Sequence, residues 1–135
     1  MKRLFFVVSI LLLLVSCERK AAPGEIAVLL FNALTSGEAQ VVRENIYFAD
    51  KVERSAFYAY LDMAYDSKDF AERTKDYKAD YKVVSENIEG DSAYVVLKGR
   101  TVLEQDTRFN VLMVKVDGEW KVDGRFSVLH RQRED

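Results

Sequence analysis

The sequence predicts an α+β fold: N-terminal helices packed on an antiparallel sheet of about four strands. Three observations carry this. Apolar residues recur at helical spacing from Glu25 to Tyr65, and at a period of two from Tyr81 to Val128. Turn signals, Glu89-Gly90-Asp91 and Asp117-Gly118, divide the second half into hairpins. A helical block followed by a strand block segregates into layers, whereas alternating blocks would give a parallel sheet.

Each element has its own local reason. From Glu25 to Ser36, Ile26, Leu29, Leu30, Ala33 and Leu34 form one helical stripe, and Gly37 supplies a stop. From Glu38 to Asp50, Ala39, Val42, Ile46 and Ala49 mark a second amphipathic face, close enough to the first to form a helical hairpin. Glu53 to Tyr65 predicts a third helix with its stripe on Val52, Ala56, Ala59, Tyr60 and Met63, widened by Phe57, Tyr58, Leu61 and Tyr65. Asp66 to Lys82 is charge-rich around Phe70 and Tyr77, which predicts a short solvated helix and a loop. Tyr81 to Ile88 is the first expected strand. Ser92 to Val102 alternates, with Ala93, Val95, Leu97, Gly99 and Thr101 directed to the core and Tyr94, Val96, Lys98, Arg100 and Val102 opposite. Thr107 to Val116 is apolar on both faces towards its end, as in a central strand. The last strand places Trp120, Val122, Gly124, Phe126 and Val128 inward.

Ahead of this domain stands a different kind of segment. Met1-Lys2-Arg3 leads into Leu4–Val15, in which Ser9 is the only polar residue. A basic start, a short apolar core and small residues at the end are the parts of a secretory signal. The apolar run of 12 residues is short of the roughly 20 that span a bilayer as a helix. It ends Leu14-Val15-Ser16-Cys17, which resembles the lipobox of bacterial lipoproteins. That resemblance implies cleavage before Cys17, acyl chains (palmitate among them) on that residue, and attachment to a membrane through them. The divisions that follow are a signal peptide at 1–16, a tether at 17–24, a domain at 25–130 and a polar tail at 131–135. The residues after Cys17 are Glu18, Arg19 and Lys20, with no acidic run to direct export, so the expected location is periplasm-facing at the outer membrane.

Composition excludes several classes. The chain is 135 residues long and 49% apolar, falling to about 45% from Cys17 onward, an ordinary value for a globular domain. One cysteine leaves no disulfide framework within the chain and no cysteine-cluster zinc site. The formal charge of −2 becomes −4 once the leader is removed, which gives no electrostatic case for nucleic acid. With one histidine, His130, in the polar tail, any metal ligation would fall to carboxylates alone, and no calcium-loop spacing is present. Neither a metal nor another cofactor is expected.

The order of helical hairpin, third helix and strands, closing on Val116-Asp117-Gly118-Glu119-Trp120-Lys121-Val122, resembles the nuclear transport factor 2-like (cystatin-like) superfamily. It is similar in particular to small bacterial lipoproteins of unknown function that carry a segment like Phe31-Asn32-Ala33-Leu34-Thr35-Ser36-Gly37-Glu38. The resemblance implies a curved sheet forming a cone, with a pocket between sheet and helices. Enzymes of that superfamily aim an acid or base into the pocket, but the inward faces here hold no titratable acid or base. Glu53 and Asp62 on the third helix are the nearest carboxylates, and both are expected in solvent.

The expectation is therefore a non-catalytic binding module, with an isomerase- or cyclase-type enzyme less favoured. Tyr58, Tyr60, Tyr65 and Trp120 are the candidate ligand-binding residues, for a flat apolar ligand, a sugar or a cell-envelope component. The alternative is that these aromatics are core and sheet cover. Tyr94, Val96, Lys98 and Arg100 form a candidate interaction face for an envelope protein or for a homodimer, the superfamily implying pairing there; the alternative is an ordinary solvated face.

Overall fold

The computed structural model describes residues 20–75, 80–100 and 106–125. The leader, Cys17, Thr101, Val102, Phe126, Val128, His130 and the 131–135 tail lie outside the described residues. Among those described, four helices pack on a curved, unclosed mixed sheet of five strands.

Helix α1 spans Pro23–Ser36, with Pro23 in its first turn, where a missing amide costs nothing. Its amide at Gly24 donates to the Glu86 carboxylate at 3.1 Å, tying the helix start to the sheet. Gly37, at φ 78°, ends it in the left-handed conformation, and the Glu38 amide returns to the Ala33 carbonyl at 3.0 Å. The next helix, α2, spans Ala39–Asn45 and stops five residues before the expected Asp50. Ile46 and Phe48 are buried while Tyr47 between them is exposed, a period of two. Strand β1 (Ile46–Tyr47) results, paired in parallel with the last strand, so the sheet gains a fifth, parallel member.

Asp50 then caps α3 (Lys51–Tyr65), its carboxylate accepting from the amides of Val52 at 2.7 Å and Glu53 at 3.0 Å. This helix is rotated relative to the stripe read from sequence. Leu61 is buried, and Phe57, Tyr58 and Tyr65 pack on the core. Val52, Tyr60 and Met63 are 76%, 60% and 68% exposed. Helix α4 (Lys68–Thr74) starts at Ser67, whose hydroxyl accepts from the Phe70 amide at 3.2 Å.

Strands β2 (Lys82–Glu89), β3 (Ser92–Arg100), β4 (Asp106–Val116) and β5 (Glu119–Asp123) form an antiparallel meander, in the order β1-β5-β4-β3-β2. Asp117 (φ 51°) and Gly118 (φ 80°) make the β4–β5 turn that an Asp-Gly pair favours. Ile46, Val122, Met113, Ala93 and Ile88 form one row across all five strands. The helices cover this face, and the alternation expected for Ala93, Val95, Leu97 and Gly99 is what the burial follows. The final strand ends earlier than its pattern suggests. Gly124 and Arg125 are already helical, with the Arg125 amide donating to the Asp123 carboxylate at 3.2 Å. Gly124 lies under the Phe48 ring so closely that a side chain there would overlap three ring atoms.

Candidate functional site

The C-terminal ends of α1 and α3 meet α4 at a cleft. Tyr65 fixes the junction: its hydroxyl donates to the Leu34 carbonyl at 2.9 Å, and its ring packs on Phe70 at 4.8 Å. Gly37 sits against the same Phe70 ring, so the turn after α1 closes over α4. The open space left between them is about 710 Å³, within the range of small-ligand sites. Leu34, Ala64 and Phe70 give it an apolar lining, and Thr35, Ser67, Asp69, Arg73 and Thr74 give it a polar margin. The hydroxyls are oriented by the helices: Thr35 donates to the Asn32 carbonyl at 3.0 Å, Ser67 to Ala64 at 2.7 Å and Thr74 to Phe70 at 2.7 Å. Each still has an acceptor lone pair to offer. Among the described residues neither Asp69 nor Arg73 has an ion-pair partner.

Burial pushes the Tyr65 hydroxyl up to about 12, with Tyr60 adding to the shift. Folding thus favours the neutral phenol. Its contribution is intact below the ordinary tyrosine value of about 10 and is lost as pH rises from there to about 12. Thermal stability is expected to fall over that window, and the fall to be shallower in Tyr65→Phe. At neutral pH the same variant loses about 1 kcal/mol with its hydrogen bond. Melting curves from pH 8 to 12 check both.

The residues expected from sequence to share a pocket are spread over separate places. Tyr58 faces inward beneath the Arg43 guanidinium, 5.2 Å from its ring centre, and its hydroxyl reaches the Arg43 carbonyl at 3.5 Å. It clamps α2 to α3. Tyr60 points outward, and Tyr65 is the wall behind the cleft. Trp120 stands at the far side of the domain, beside a second, smaller cleft of about 250 Å³ with Lys20, Ile26 and Asn45. The Lys115 ammonium lies 5.4 Å from its ring centre. Glu53 is exposed in the first turn of α3, and Asp62, 57% exposed, pairs with Arg43. The cleft residues on α4 went unread in the sequence, where Phe70 was only an apolar residue in a charged segment. The available signal was Ser67 three residues before it, a helix cap that presents Phe70 on the first turn.

On the opposite face of the sheet, Tyr94, Val96, Lys98 and Arg100 do lie side by side along β3. Register sets Tyr94 between Asn87 and Leu112, Val96 between Ser85 and Asn110, and Lys98 between Lys82 and Arg108. Arg100 lies opposite Asp106. The face therefore has an apolar end and a basic end. Among the described residues no group of acids, histidines or cysteines is placed to hold a metal ion, and no helix is long and apolar enough to cross a membrane.

No family model and no curated protein sequence matches the chain. Solved structures do. A Campylobacter jejuni protein provisionally named an NTF2-like transpeptidase superposes with a TM-score of 0.59 at 21% identity, over 76% of this chain and 97% of that one. An NTF2-like protein of unknown function from Silicibacter pomeroyi DSS-3 gives 0.45 at 14% identity, over 71% and 84%. A de novo designed protein with a curved β-sheet gives 0.43 at 17% identity, over 70% and 88%. At 21% identity the first likeness concerns the fold, which is nuclear transport factor 2-like.

Proposed function

We propose that the protein is a lipid-anchored, periplasm-facing binding module, held to the membrane through acyl chains on Cys17. The cleft between α1, α3 and α4 takes a small ligand or a cell-envelope component. The single observation that carries the binding role is that cleft: about 710 Å³, apolar within, with Asp69 and Arg73 at its margin and without an ion-pair partner among the described residues. Such a site holds a ligand by apolar contact and fixes its orientation with a few charged or hydroxyl groups. No covalent step is assigned to it. Ser67, the one serine among the described residues of the cleft, uses its hydroxyl to cap α4. The transpeptidase name belongs to the Campylobacter jejuni protein, and at this identity it supplies no chemistry here.

The test is ligand-dependent thermal stabilisation across a panel of amphiphiles, sugars and peptidoglycan fragments. A ligand present at 100 times its Kd should stabilise the domain by about 2.7 kcal/mol. Ala64→Trp, which fills the cleft, should abolish that shift, while Tyr60→Ala, on the outer side of α3, should leave it in place. No stabilisation by any panel member would reject the reading.

A second reading has the open face of the sheet as a protein-docking surface, supported by Tyr94, 40% exposed, at its apolar end and the Lys82, Lys98 and Arg108 row at its basic end.

A further inference from the structure

Strand β2 is an open edge of the sheet, and all eight of its residues are exposed. Val83, Val84 and Ile88 are 42%, 47% and 51% exposed, an unusual apolar content for an edge strand whose outer side no other strand among the described residues pairs with. Its sequence, Lys82-Val83-Val84-Ser85-Glu86-Asn87-Ile88-Glu89, is complementary to itself when a second copy runs antiparallel alongside.

The bulge makes this complementarity work. Pairing with β3 passes from Val83 opposite Leu97 to Ser85 opposite Val96, so Val84 is looped out of the ladder. In a regular strand Lys82 and Glu89 would fall on opposite faces. With Val84 skipped, both share the face of their partners Lys98 and Ser92, and Val83 and Ile88 share the other. A twofold axis at Glu86 then sets Lys82 against the partner's Glu89, Val83 against the partner's Ile88, and Ser85 against the partner's Asn87. Each pair lies on one face and occurs twice.

We infer that the occupant of this edge is a second copy of the chain, adding its own β2 antiparallel to form one continuous sheet. Charge supports the choice of partner. Within the chain Lys82 lies opposite Lys98, a like charge, and neither Lys82 nor Glu89 has an ion-pair partner among the described residues. The second copy supplies the missing opposite charge to both. Glu86 is the one residue that meets its own charge at the axis. Its carboxylate is drawn towards α1 by the Gly24 amide, which moderates that opposition. A single added strand pair is a small interface beside the roughly 1,200 Å² of stable complexes, so the dimer is weak and concentration-dependent.

Sedimentation equilibrium of the full chain in density-matched detergent at low salt tests this independently of any cleft ligand. Lys82→Glu and Glu89→Lys should each weaken dimerisation at least tenfold, because each variant creates two like-charge pairs. The double variant restores both pairs in reverse and should recover to within about threefold of the parent. Lys82→Glu gains Lys98 as an opposite charge within the chain, so its loss of dimer is not a loss of fold. Glu86→Gln should tighten the dimer while keeping an acceptor for Gly24. A monomer at every concentration, single variants without effect, or a double variant no better than the singles would each overturn the inference. The last two outcomes are what a dimer formed through the Tyr94–Val96 face would give.

Discussion

Replacing Leu97 with alanine is expected to destabilise the domain by about 3 kcal/mol, and to lower its melting temperature by about 10 °C or more. Leu97 is fully buried in β3, opposite Phe109 on β4 and Val83 on β2. Truncation there removes a side chain's worth of apolar burial and leaves a void that the flanking strands, each held by its own ladder, close only in part. Val96, its neighbour on the opposite face, is only half-buried. Val96→Ala should therefore cost less than 1 kcal/mol. Urea unfolding of both variants measures the contrast. An equal loss at the two positions would mean that the helix-covered face is not the core.

Replacing Cys17 with serine is expected to abolish incorporation of a fatty-acid label and to leave the chain uncleaved after Ser16. Under the anchoring proposal, stable attachment rests on the acyl chains carried by Cys17. One chain binds only marginally, whereas two or more, at about 0.8 kcal/mol per buried methylene, anchor firmly. Metabolic labelling with a palmitate analogue, followed by mass spectrometry of the N-terminal peptide, reads both effects. An unmodified Cys17 in the parent protein would defeat the anchoring proposal while leaving the cleft and the β2 edge as they stand.

Much of the fold was legible locally. Gly37 ended α1, Asp117-Gly118 turned β4 into β5, and the inward residues of β3 followed from alternation alone. These features depend on backbone preference or on a strict period, and neither needs a distant partner. Helix α3 was legible as a helix but not in its rotation. With Val52, Ala56, Phe57, Tyr58, Tyr60, Leu61, Met63 and Tyr65 spread around it, its hydrophobic pattern has no single direction, and long-range partners decide. Phe48 takes Phe57 at 5.1 Å, the Leu34 carbonyl takes the Tyr65 hydroxyl, and Arg43 takes Tyr58 and Asp62.

The cleft was hidden for the same reason. Its walls come from residues about 40 positions apart, Leu34 and Thr35 on α1 and Thr74 on α4. None carries a motif.

By itself, then, the sequence determined the α+β class, the order of the helices and the antiparallel strands, the face of β3 that is buried, and the leader-to-Cys17 segment on which the anchoring proposal rests. Each is written in contiguous residues. Tertiary structure alone decided that Ile46–Tyr47 leave the helix to join β5, that α3 buries Leu61 rather than Met63, that Gly124 ends the last strand beneath Phe48, and that a cleft opens beside Phe70. These outcomes depend on which surfaces meet once the chain has closed, and a surface apolar on several sides is oriented only by the neighbour it packs against.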